Sequence, residues 1–123
     1  MPESSAQSNQ GRVENYLRTH RIKAGLGQHE IGRLFGYKRE GPVSRHERAK
    51  ALPSLRIAIA YEILFRTPVS KLFPGVKKDM QGIVERRLLQ LEGELQKKTA
   101  KGNEARRIAQ KLAWFSERRN IDN

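Results

Sequence analysis

Between Val13 and Gly75 the chain is punctuated so often by glycine and proline that no long regular element fits. Gly25, Gly27, Gly36, Gly41-Pro42, Pro53, Pro68 and Pro74-Gly75 cut this stretch into short runs. Glycine ends helices by taking up the left-handed conformation at the C-cap, and proline lacks the amide donor that a helix interior needs. Within the runs, apolar residues recur at spacings of three and four, which predicts helices. Val13, Tyr16, Leu17 and His20 share one face of a first helix that Gly25 stops. Gly27-Gln28-His29-Glu30 opens a second, with Ile31, Leu34 and Phe35 as its buried face and Gly36 as a left-handed cap. Gly32 inside it costs roughly 1 kcal/mol relative to alanine, which close approach by another helix would justify. The third helix runs from Glu40 or Pro42 to Arg48, because proline is acceptable only in a first turn. Ser54 caps a fourth helix carrying Leu55, Ala58, Tyr61, Ile63 and Leu64 on its apolar side. Thr67-Pro68 interrupts it, and Val69, Leu72 and Phe73 make a short fifth helix before Pro74-Gly75 forces a turn. Five short helices joined by tight turns predict a compact orthogonal bundle.

The rest of the chain is built differently. Met1 to Gln10 is polar and lacks an apolar period, so it reads as a disordered arm. From Lys77 to Lys98 the residues Met80, Val84, Leu88, Leu91 and Leu95 make a heptad-like stripe, which Lys101-Gly102-Asn103 breaks. A last helix from about Glu104 to Arg118, with Asn103 as its cap, carries Ala105, Ile108, Leu112 and Phe115 on one face, widened by Ala109, Ala113 and Trp114. Residues 120–123 form a polar tail. The first stripe fits either an intermolecular coiled coil or one arm of an antiparallel hairpin. Neither stripe can be hidden by its own helix in water, so a hairpin packed on its symmetry mate is expected for residues 76–119. Met80, Val84, Leu88, Leu91, Leu95, Ile108, Leu112 and Phe115 are its dimer-interface candidates, with Trp114-Phe115 in the contact.

The charge narrows the choice of partner. The formal net charge is +12, with 13 basic and 6 acidic residues in 1–74 and 12 and 7 in 75–123, so the excess is +7 and +5 and not a detachable basic tail. A field spread over the whole chain favours a polyanion, nucleic acid being the commonest. No run approaches the roughly 18 apolar residues of a membrane span, and no signal segment opens the chain. With no cysteine there is neither a disulfide framework nor a thiolate zinc site, in keeping with a cytoplasmic location. Three scattered histidines lack zinc-finger spacing, and there is no phosphate-cradling glycine loop, HExxH motif or nucleophile elbow. The expectation is therefore a protein that is not an enzyme and carries no metal or other cofactor.

An ordered series of motifs covers about half of the chain. It comprises Leu17-Arg18-Thr19-His20-Arg21 leading to Gly25-Leu26-Gly27-Gln28, then Glu30-Ile31-Gly32, Leu34-Phe35-Gly36-Tyr37 and Val43-Ser44-Arg45-His46-Glu47-Arg48, and closes with Pro53-Ser54-Leu55 and Pro68-Val69-Ser70-Lys71-Leu72-Phe73. The series resembles the phage-repressor and Cro type (XRE-like) helix-turn-helix family. The resemblance implies an all-α protein: a five-helix DNA-binding domain over residues 11–75, followed by the C-terminal helical hairpin. It implies that Gln28 contacts a phosphate and steadies the next helix. Lys38, Arg39, Glu40, Gly41, Ser44 and Arg45 fall in the loop and N-terminal part of a recognition helix that enters the major groove. Arg21 and Glu47 match a family pair that forms a structural salt bridge.

Arg39 and Arg45 have the parallel donors that guanine O6 and N7 accept, so Arg39, Ser44 and Arg45 are base-reading candidates. Gln28, Arg33, Lys38, Lys50 and Arg56 are candidates for the phosphate backbone. The chain departs from the family pattern at Gly27, where a capping serine or threonine is usual, and at His20, where a core leucine is usual. It departs again at Gly41-Pro42, which lengthens the segment before Val43 by one residue and would leave Lys38 to Glu40 in a longer turn. His20 is expected to be partly buried and hydrogen-bonded, His29 to lie on a helix surface, and His46 to touch core or DNA. The expected function is sequence-specific recognition of double-stranded DNA by a transcriptional regulator that binds a palindromic operator as a homodimer. Two alternatives stay open: an antitoxin or adaptor that holds a protein partner through its C-terminal helices, and a nonspecific nucleic-acid-binding protein.

Overall fold

The structure is a computed structural model that describes residues 13–122, so the expected N-terminal arm lies outside the described residues. Those residues form seven α-helices and no strand: α1 (Leu17–Ala24), α2 (Gln28–Leu34), α3 (Gly41–Glu47), α4 (Leu55–Phe65), α5 (Val69–Leu72), α6 (Pro74–Lys97) and α7 (Gly102–Asp122). None of the described helices is long and apolar enough to cross a membrane. The chain divides into two compact units, one ending at Asp79 and the other beginning at Met80.

In the first unit, each of α1 to α5 gives one fully buried side chain to a single core: Leu17, Ile31, Val43, Tyr61 and Leu72. Phe73 joins them, and Leu26, Phe35, Tyr37, Leu64 and Val76 pack around the outside. Tyr61 is the hub, with the Phe35 ring edge-on at 4.7 Å between centroids and the Phe73 ring edge-on at 6.4 Å.

Local chemistry sets the helix ends. Gly25 and Gly36 both sit in the left-handed region, at φ 74° and 87°. The Ser54 hydroxyl accepts the Ile57 amide at 3.3 Å as the cap of α4. Pro42 lies in the first turn of α3, where its missing donor is harmless. Gly27 has no side chain to cap α2, but Glu30 reaches back and accepts the Gly27 amide at 2.8 Å, the half of a capping box that needs no cap side chain.

Several expectations are corrected. α1 starts at Leu17, so Val13 and Tyr16 precede it and are exposed. Asn15 intervenes: its carboxamide oxygen accepts the Leu17 amide at 3.1 Å and its nitrogen donates to the His46 carbonyl at 3.0 Å, satisfying the helix start from outside. Leu34 is 63% exposed, and Leu55 and Ile63 on α4 are 75% and 72% exposed, so the core takes Ala58 and Tyr61 from α4. Pro74-Gly75 makes no turn away from helix. Proline has its φ preset for a first helical position, and α6 begins there. The close approach at Gly32 comes from a loop: a Cβ there would lie 3.1 Å from the Arg39 carbonyl oxygen.

In the second unit α6 and α7 form a hairpin closed by residues 98–101. Ion pairs link its arms: Lys98 to Glu104 at 3.0 Å near the turn, Arg119 to Glu92 at 2.8 Å, and Arg118 to Glu85 at 2.5 Å. Hydrogen bonds from Arg118 and Arg119 hold the Glu85 and Glu92 carboxyls below the usual carboxylate range. Leu95 and Phe115 are buried within the protomer, which removes them from any outward-facing interface. Asn103 lies inside the first turn of α7 and so does not cap it. α7 continues through Asp122, so the expected polar tail is largely helix.

Candidate nucleic-acid interface

The α2–turn–α3 segment is built around one buried carboxylate. Glu47, at the end of α3, has a side chain only 2% exposed, and Arg21 of α1 donates to it through Nε at 2.6 Å and Nη2 at 3.2 Å. Gln28, the first residue of α2, donates its amide to the same carboxylate at 3.0 Å. The remaining Arg21 nitrogen, Nη1, donates to the Leu26 carbonyl at 3.1 Å, in the turn between α1 and α2. One anion therefore ties three helices together. Hydrogen bonds of this charge-assisted kind are the strong ones.

α3 presents two chemically different sides. Val43 and His46 are buried on one, and the His46 Nδ1 lies 3.0 Å from the Tyr61 hydroxyl in a hydrogen bond. Burial, and then the neighbouring Arg45 charge, push the His46 pKa down, so the ring is a neutral core group. Burial chiefly, with the nearby Glu47 charge, pushes the Tyr61 phenol up and keeps it protonated. On the other side Arg45 is exposed and Ser44 half-buried. The Arg45 guanidinium lies back along the first turn, 3.4 Å from where a Cβ on Gly41 would stand.

Because α3 starts at Gly41, Lys38, Arg39 and Glu40 lie in the turn ahead of it, all exposed. The Arg39 backbone is seated against Gly32 while its side chain is at the surface. Arg33, near the end of α2, is exposed, as are Lys50 in the loop after α3 and Arg56 in the first turn of α4. Gln28 is half-buried and gives one amide hydrogen to Glu47, which leaves its second amide hydrogen and its carbonyl oxygen for a further contact. His20 stacks on Phe65 at 5.3 Å between centroids, and His29 is exposed on α2. Among the described residues no group of three His, Asp or Glu side chains could hold a metal ion.

The sequence reading missed Asn15 and Glu30. Both carried a signal, a capping-type residue just before an apolar run and a glutamate at the third helical position. A scan against protein-family models, a search of curated proteins and a search of solved structures each found no match for this chain.

Proposed function

We propose that this chain is a sequence-specific double-stranded DNA-binding transcriptional regulator, with α2 and α3 acting as a helix-turn-helix and α3 entering the major groove. The observation that carries the reading is the two-sidedness of α3. Val43, His46 and Glu47 anchor it from behind, while Ser44 and Arg45 lie on its outer side next to the exposed Lys38 and Arg39. A reader of base edges needs that combination, since its donors must be held rigidly in register with the groove. The excess of +7 over residues 1–74 supplies the phosphate attraction. The regulator acts as a dimer on a palindromic site with half-sites roughly 34 Å apart. Support for the dimer is the outward face of α6, where Met80, Val84 and Leu91 are 48%, 41% and 44% exposed.

The test is selection of duplexes from a random library by the full-length protein, followed by affinity measurements on selected and scrambled sequences at physiological salt. A preference of at least about a thousandfold is expected. Arg45→Ala should cost about 1–3 kcal/mol on the selected duplex and relax preference at one base pair. Equal affinity for both sequences would rule out sequence-specific recognition.

A further inference from the structure

Residues 97–107, which close the α6–α7 hairpin, hold five basic side chains and one acidic one, a net +4 that no other eleven-residue stretch of the sequence exceeds. All six side chains are exposed. Lys98 and Glu104 pair with each other, but Lys97, Lys101, Arg106 and Arg107 hold no ion pair among the described residues. The arginines farther along α7 are treated differently, since Arg118 and Arg119 are matched by Glu85 and Glu92. Along the arms, over residues 80–96 and 108–122, basic and acidic residues balance at five each, although Arg86, Arg87 and Lys111 hold no ion pair among the described residues, so the net charge of the hairpin lies at its tip.

Helix electrostatics sharpen the contrast. The N-terminus of α7 carries the positive end of a 21-residue helix, where anions are stabilising and cations are not. Arg106 and Arg107 nevertheless occupy its second turn, while the negative dipole end of α6 is met by Lys97 in its last turn, so the side chains leave the tip positive. Between Lys97 and Arg107 there is no aromatic and no large aliphatic residue. The tip therefore lacks the rings that stack on single-stranded bases and the apolar groups that enter a membrane interface. It offers point charges alone, the chemistry suited to a phosphodiester backbone.

We infer that Lys97, Lys101, Arg106 and Arg107 form a second DNA contact, which binds the phosphate backbone of the duplex without reading sequence. The inference rests on duplex DNA being the partner, as proposed above, and needs no fixed placement of one unit on the other. Tethering to a DNA-bound first unit raises the local concentration of duplex around the tip, so individually weak contacts become effective.

The test uses the full-length protein and a variant with Lys97→Gln, Lys101→Gln, Arg106→Gln and Arg107→Gln, titrated with selected and scrambled duplexes across a range of KCl. Each phosphate contact contributes about 0.9 to the slope of log affinity against log salt. With four residues on each of two tips per bound dimer, the slope should fall by about 7, and affinity at ~0.15 M salt by at least tenfold on both duplexes, with their ratio unchanged. The half-variants Lys97→Gln with Lys101→Gln, and Arg106→Gln with Arg107→Gln, should each lower the slope by about 3 to 4, and Lys97→Arg with Lys101→Arg should keep it. Far-UV circular dichroism checks that each variant is folded. Arg45→Ala should do the reverse, changing the ratio between duplexes more than the slope. An unchanged slope in the folded variants overturns the tip contact and leaves the α3 reading standing. Absence of sequence preference in the wild type, with the slope still falling in the variant, overturns the α3 reading and leaves the tip standing. Loss of binding to phosphatidylserine vesicles or single-stranded RNA, with duplex binding unaffected, would assign the tip to that other polyanion and overturn the inference.

Discussion

Replacing Glu47 by glutamine, Glu47→Gln, strikes the first unit at the point where three helices are tied. The carboxylate is 2% exposed, and the Arg21 side chain facing it 15% exposed. The amide keeps the shape but removes the charge, and it turns a donor toward Arg21 or Gln28 in place of one of the two acceptor oxygens. Breaking a buried ion pair from one side typically costs 3–5 kcal/mol, because the other charge stays behind without compensation. Arg21 keeps its bond to the Leu26 carbonyl, which places the expected loss at the lower end, about 3 kcal/mol. That is a large share of the 5–15 kcal/mol of a typical domain and lowers the melting temperature of a unit this small by roughly 12–24 °C. The assay can be confined to the affected unit. All three tyrosines, Tyr16, Tyr37 and Tyr61, lie in the first unit and the single tryptophan, Trp114, in the second. In urea, the tyrosine near-UV signal should shift to a lower midpoint with unchanged slope while the Trp114 fluorescence transition stays in place. Converting the pair to apolar residues together, Arg21→Met with Glu47→Leu, should recover most of the loss, since no charge is stranded. A single variant within about 0.5 kcal/mol of the wild type, as an ordinary surface substitution would be, would refute the view that this carboxylate organises the unit.

Three further outcomes are expected. The His46 pKa is lowered in the folded chain, so the unfolded chain takes up a proton that the folded one refuses. Its contribution is complete above pH ~6.5 and is lost as pH falls below that value, so the urea midpoint of the tyrosine signal should drop between pH 7 and 5, and His46→Phe should flatten that dependence. Ala49 sits in the left-handed region at φ 58°, where a Cβ costs about 1 kcal/mol, so Ala49→Gly should raise stability by up to that amount and Ala49→Val lower it, as read by thermal melting. Leu91→Glu should make the full-length protein monomeric in light scattering while leaving its helical spectrum intact, and Leu95→Ala should instead destabilise the hairpin. If Ile59→Glu on the exposed face of α4 dissolves the dimer and Leu91→Glu does not, the interface belongs to the first unit.

Most of the punctuation was readable, Pro74-Gly75 and Asn103 excepted, and orientation was not. Gly25, Gly36, Ser54 and Pro42 act locally, through φ, a capping hydroxyl or a missing donor, so a sequence pattern carries their effect directly. Which face of a helix is buried depends on its neighbours. In α4 only Arg56 and Glu62 interrupt an otherwise apolar or aromatic run, so the period selects no face, and Leu55, Ile59 and Ile63 are exposed while Ala58 and Tyr61 are buried. The stripe on α6 divides in two. A heptad reading merges positions that a straight helix of 3.6 residues per turn separates: Met80, Val84 and Leu91 fall within about 40° of one another, and Leu88 and Leu95 roughly 50° to one side. The second pair is turned inward and the first three are left exposed.

The candidate site shows the same division at closer range. Nothing local links Arg21 to Glu47, which are 26 residues apart; their pairing was expected only because the chain resembles a family in which such a pair occurs. That Gln28 steadies the next helix was implied by the same resemblance, but not that it does so by sharing this carboxylate. Nor does any period encode the seat of Arg39, whose carbonyl oxygen would stand 3.1 Å from a Cβ on residue 32 and is accommodated because that residue is glycine. The glycine that weakens α2 by propensity is what lets the turn before α3 lie against it. Lys38 to Glu40 can then precede α3 without displacing it, and Val43 still reaches the core. Gly41 and Pro42 open α3 itself, so Arg45 is held by the same helix as Val43 and Glu47, whereas Arg39 is carried on a turn segment held by backbone contact with α2. For that reason Arg45, rather than Arg39, is the residue whose removal tests recognition by α3.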